Sequence, residues 1–98
     1  MDDSINMSDI VLSLRGRDAG RPFVVIAVDG EYLMLADGRG RRAEKPKRKK
    51  AKHTRFIGNS GQTRIAEKLL SGEKITNAEL RRELQNCGFE TRGGMPVG

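Results

Sequence analysis

Apolar and polar residues alternate along the chain from Asp9 onward. Ile10, Leu12 and Leu14 interleave with Val11, Ser13 and Arg15, a period of two that predicts a strand ending at Gly16. The following GRDAGRP, residues 16–22, sets two glycines four apart with Asp18 between them and Pro22 behind, which is turn chemistry. Phe23 to Val28 is β-branched and nearly all apolar, as expected of a central strand. Asp29-Gly30 is a favoured two-residue hairpin turn, Glu31 to Ala36 reads as a third strand, and Asp37-Gly38 turns the chain again. A short fourth strand is expected over Arg39–Glu44, because three strands with exposed edges invite further pairing. Gly40 and Ala43 are small for such a strand.

Pro46 lacks a backbone donor and disfavours helix at Lys45, so regular structure is expected to stop there. The basic run continues to Arg55 without hydrophobic periodicity, and its mutual repulsion predicts an extended segment until it meets phosphate. Phe56 and Ile57 form an apolar pair ahead of a GNSG loop, residues 58–61. Helical spacing then takes over. Ile65, Ala66 and Leu69 share a face of a helix over Thr63–Leu70 that Gly72 stops. Thr76 and Glu79 make a capping box, with Ile75 and Leu80 as its hydrophobic staple. Ala78, Leu80, Leu84 and Cys87 form the stripe of this second helix, which ends at Gly88. Short strands with tight turns followed by two helices predict a small, strongly curved β-barrel with the helices packed on its side or end. The same pattern fits a meander capped by the helices. Residues 9–57 are thus the β domain with its basic segment 41–55, residues 58–88 a helical extension on the same domain, and 1–8 and 89–98 flexible ends.

Charge sharpens the picture. The net charge of +6 over 98 residues is concentrated: residues 39–55 carry ten Lys or Arg against one Glu, whereas residues 1–38 are net acidic. RRAEKPKRKKAKH, residues 41–53, is its densest part. A concentrated patch is the footprint of polyanion binding. The longest apolar run, Phe23 to Val28, is far too short to span a bilayer. Asp2 and Asp3 are wrong for a secretory leader, and the single Cys87 excludes an internal disulfide, so a cytoplasmic protein is expected.

Candidate chemistry is all of the binding kind. Arg15, Gly16, Arg17 and Arg21 lie on one turn, where arginines and bare backbone N–H groups can meet a phosphate backbone or stack on an unpaired base. Arg39, Arg41, Arg42, Lys45, Lys47, Arg48, Lys49, Lys50, Lys52, His53 and Arg55 supply charge that attracts phosphate without reading sequence. Asp18 is expected to hold Arg17 or cap the turn. His53 has no oriented partner for catalysis and would be alone as a metal ligand. Phe23 reads as core, Tyr32 is open to either role, and Phe56 is either a base-stacking residue or an anchor for the basic linker. There is no GxGxxG, no Gly-Lys-Ser/Thr leading into a helix and no paired carboxylates, so no catalytic residue, metal site or cofactor is expected.

Ile10-Val11, Gly16-Arg17-Asp18-Ala19-Gly20, Phe23-Val-Val-Ile26 and Asp37-Gly38 together closely resemble the KOW motif, whose central glycine corresponds to Gly16. Glu44-Lys-Pro-Lys-Arg-Lys-Lys50, Lys52-His53 and Ile75-Thr-Asn-Ala-Glu-Leu80 resemble a bacterial group of small KOW-domain RNA-binding proteins, itself similar to KOW-type large-subunit ribosomal proteins of archaea and eukaryotes. The resemblance runs through most of residues 9–88. It implies a mainly β fold, a small SH3-like barrel followed by two short helices. It also implies binding of structured or ribosomal RNA, or the ribosome, through the Arg15–Arg21 loop and the flanking basic residues, and no enzymatic activity; the protein is expected to be monomeric when free. Gly40 and Ala43 depart from the larger apolar residues of that pattern. KOW domains also serve transcription factors, so a DNA- or transcription-associated module is one alternative. A protein-interaction domain docking through its helices is another.

Overall fold

The structure, a computed structural model, describes residues 5–59 and 63–88. Expectations for residues 1–4, 60–62 and 89–98 lie outside it. Five antiparallel strands precede two helices: β1 (Ile10–Ser13), β2 (Pro22–Asp29), β3 (Tyr32–Ala36), β4 (Lys47–Lys50), β5 (Thr54–Gly58), α1 (Thr63–Ser71) and α2 (Asn77–Asn86). Their order across the sheet is β4-β3-β2-β1-β5. The apolar run around Phe23 is the central strand, as its composition requires.

The expected SH3-like barrel does not form, because the sheet is not closed: β4 and β5 occupy its two edges without a ladder between them. It is nonetheless curled. In a flat sheet the edge strands would stand about 19 Å apart, four spacings of roughly 4.8 Å. Yet a single 3₁₀ turn, Ala51–His53, leads from the end of β4 into β5, and three residues of such a turn advance only about 6 Å. The sheet must therefore bend until its edges approach at this corner. A bulge in β2, where the register with β3 shifts between Val25 and Ala27, adds to the bend. The corner is fixed by Ala51 N–H donating to Glu31 O (2.7 Å) and Thr54 Oγ1 donating to Ala51 O (2.7 Å).

Curling gives the sheet two buried faces. Val11, Phe23, Val25, Leu33 and Leu35 fill the concave side. Ile10, Val24 and Ala36 face the other way and meet Ile65 of α1, Leu80 and Leu84 of α2, and Ile75 between the helices. Each Val, Ile, Leu or Phe among them contributes about 1.5–3 kcal/mol of burial. The Thr76–Glu79 capping box forms as expected, with Glu79 N–H donating to Thr76 Oγ1 and Thr76 N–H to Glu79 Oε1. Lys68 Nζ, 2.6 Å from Glu79 Oε2, ties α1 to that cap. On α2 the stripe is corrected: Ala78 is exposed, whereas Glu83 is buried beside Leu84.

Three further expectations are revised. The hairpin between β2 and β3 turns on Gly30 and Glu31, one residue later than Asp29-Gly30, since Asp29 pairs with Tyr32. No strand forms over Arg39–Glu44. Instead the buried Asp37 carboxylate gathers that loop, its Oδ1 accepting from Arg39 N–H (2.9 Å) and Arg41 N–H (2.8 Å). The loop docks on α2: Asn77 Oδ1 accepts from Ala43 N–H (2.8 Å), and Arg81 Nη1 donates to Gly38 O (2.6 Å). Pro46 does not end regular structure but precedes β4, whose ladder to β3 starts at Lys47.

Gly38 carries this docking. Its φ is +78°, and a Cβ there would lie 2.3 Å from Asn77 O. Gly38→Ala is expected to destabilise the fold by more than ~2 kcal/mol in denaturant titration. Gly20→Ala, at φ +87° but with open space around it, should cost only about 1–2 kcal/mol.

Candidate nucleic-acid interface

The β1–β2 loop, residues 14–21, is a compact turn. Gly20 N–H donates to Ser13 O (2.7 Å), Ala19 N–H to Gly16 O (3.1 Å) and Arg21 N–H to Asp18 O (2.9 Å). Gly16 at φ +82° lets the chain reverse. Arg15, Arg17 and Arg21 are exposed on its surface, while Asp18 turns inward. Asp18 meets neither expected partner; its side chain lies against the edge strand β4. Lys47 Nζ stands 2.6 Å from Asp18 Oδ2, an ion contact outside hydrogen-bond directionality, and Lys49 Nζ stands 3.9 Å away. Lys49 is 9% exposed. It also donates to Ser13 Oγ (2.8 Å) and Arg15 O (2.6 Å).

The expected free basic strap is thus divided by the pleat of β4. Lys47 and Lys49 point inward and hold the loop. Arg48 and Lys50 point the other way, with the Arg48 guanidinium 3.9 Å from the centre of the Tyr32 ring and Lys50 Nζ 5.9 Å from it. The run is not one extended strap: Lys47–Lys50 is extended by pairing with β3 rather than by repulsion, Ala51–His53 is a 3₁₀ turn, and Thr54 and Arg55 pair with β1 in β5. The role of Tyr32 is accordingly a platform for these two cations.

The remaining basic residues fall on either side of the loop. On one side Leu14 N–H donates to His53 O (2.9 Å), which brings Arg15 beside the corner carrying Lys52 and His53, with Arg55 just beyond on β5. Partial burial and the cations Arg15, Lys52, Lys50 and Lys49 push the His53 pKa below its usual value. On the other side Arg39, Arg41, Arg42 and Lys45 are exposed on the Asp37-centred loop. That loop lies close: Arg41 acts electrostatically on Asp18, and a side chain at Gly40 would meet Arg21 Nη1 at 3.6 Å. The fold therefore brings together Arg15, Arg17 and Arg21 with Lys52, His53 and Arg55 on one flank and Arg39 and Arg41 on the other, while Arg48 and Lys50 stand over Tyr32 on the opposite side of the pleat. Lys47 and Lys49 are structural. Sequence reasoning missed their pairing with Asp18 because its signal, a lone acid opposite a basic strand, depends on strand order.

Among the described residues no three His, Cys, Asp or Glu side chains group as metal ligands, and no helix is long and apolar enough to cross a membrane. The arrangement presents exposed cations; the backbone N–H groups of Ala19, Gly20 and Arg21, expected to be bare, are instead occupied within the loop.

Burial acts to raise the Asp18 pKa, but Lys47, with Lys49 and Arg41, outweighs it and holds the carboxyl below its ordinary 3.8. A carboxylate with a depressed folded pKa stabilises the fold above its unfolded value and loses that contribution as pH falls through the folded one. Asp18→Asn is expected to cost about 1–3 kcal/mol at neutral pH, discounted for partial exposure. In urea titrations the deficit relative to the parent should begin to shrink as pH falls below the ordinary 3.8 and vanish only below the depressed folded value, where the folded parent carboxylate is itself protonated.

No protein-family model matches the chain, and no curated protein matches it significantly.

Proposed function

We propose that this is a non-catalytic RNA-binding protein that works in the cytoplasm and grips structured or ribosomal RNA by phosphate and shape recognition. The observation that carries the reading is the bracing of the Arg15–Arg21 loop by Asp18, Lys47 and Lys49. It presents Arg15 and Arg17 from a rigid turn beside Lys52, His53 and Arg55, so phosphate-binding groups need little ordering on contact. The choice of RNA over DNA rests on the resemblance of Glu44-Lys-Pro-Lys-Arg-Lys-Lys50, Lys52-His53 and Ile75-Thr-Asn-Ala-Glu-Leu80 to small KOW-domain RNA-binding proteins. The alternative in which the helices dock on a protein partner loses support, because Ile65, Leu80 and Leu84 are occupied against the sheet.

The test is fluorescence anisotropy with a structured RNA and a duplex DNA of equal length across a salt series. Affinity for RNA should fall steeply with salt. The variant R15A/R17A/K52A/R55A, all at exposed positions, should keep its fold, lose roughly a hundredfold or more in RNA affinity at moderate salt, and lower the log–log salt slope by about 3. Equal affinity of the parent for RNA and DNA would overturn the RNA assignment.

A further inference from the structure

Where β5 fails to pair with the far edge of the sheet, an open groove of about 620 Å³ remains between β5 and the β2–β3 hairpin. That volume is within the usual range of ligand sites, roughly 300–1,000 Å³. Leu33 and Ala51 lie in its depth, and the half-exposed Val28 and Phe56 stand along it. Lys52 and Arg55 also line it, and no lining residue is acidic. Phe56 pairs in register with the buried Val11, so its ring is on the concave side of the sheet, yet it is 54% exposed. An aromatic left in water next to two cations has the makings of a stacking site.

We propose that this groove takes an unpaired nucleobase of a bound RNA, stacked on the Phe56 ring with Val28 at its side, while Lys52 and Arg55 meet the flanking phosphates. The composition selects this occupant. A base offers a flat π-face to an aromatic ring and anionic phosphates on both sides, matching an apolar groove with two cations on its lining. The inference rests on the RNA-binding reading and adds to it a preference for RNA with looped-out or unpaired bases over continuous duplex.

The probe is an RNA hairpin with 2-aminopurine in its loop, compared with a fully paired RNA duplex of equal charge. On titration with the protein, the 2-aminopurine fluorescence should be quenched by stacking. Phe56→Leu keeps the apolar contact and removes the π-face. It should abolish the quench and weaken hairpin binding by about 5- to 150-fold, the span expected for one stacked base, while leaving duplex binding and the thermal melt unchanged. Phe56→Trp should restore both quench and affinity. If Phe56→Leu weakens hairpin and duplex alike, or neither, the groove serves something other than an unpaired base, such as a protein segment, and the proposal is overturned while RNA binding stands. If the parent protein binds neither RNA, both readings fall.

Discussion

The placement of the Arg15–Arg21 loop depends on a cluster of charged contacts crossing a seam. The curled sheet leaves β4 and β5 unpaired at its edges, and the loop after β1 hangs over that gap. Lys49 reaches across it from β4 to Ser13 Oγ and Arg15 O, and with Lys47 it meets the Asp18 carboxylate. Side-chain bonds here do the work that a strand ladder would do in a closed barrel. Because Lys49 is nearly out of water, its ammonium needs those acceptors. The acceptors lie on the loop, so satisfying the lysine also sets the loop's position.

That coupling joins stability to binding. A run of basic residues in solution would bind phosphate only after paying the entropy of ordering. Here two lysines neutralise an acid and immobilise the turn, and the exposed arginines on it face solvent from a fixed backbone. The lysine-rich edge also protects the sheet, since charged edge strands resist pairing with other chains. Further round the corner the same lack of closure leaves apolar surface open at Val28 and Phe56. One topological fact therefore underlies both the braced loop and the groove.

The second anchor is the approach of the Asp37-centred loop to the start of α2. Gly38 passes so close to Asn77 O that no side chain fits, and Asn77 in turn accepts from Ala43 N–H and donates to Glu44. α2 thus supports the Asp37-centred loop from behind. Gly40 and Ala43, which looked too small for a strand, belong to a loop shaped by this docking.

The sequence alone determined the local elements. Period-two alternation and β-branched runs located the first three strands, and Thr76 with Glu79 located the second helix, because these signals arise between residues a few positions apart. It also located the positive charge and the arginine-bearing turn. Strand order, the failure of the sheet to close, and the division of Lys47, Arg48, Lys49 and Lys50 into inward and outward pairs were decided only by the tertiary structure. Whether Asp18 meets Arg17 beside it or Lys47 across the seam depends on how tightly the sheet curls. That curl follows from a three-residue corner between two distant edges, a constraint that no local pattern in the chain records.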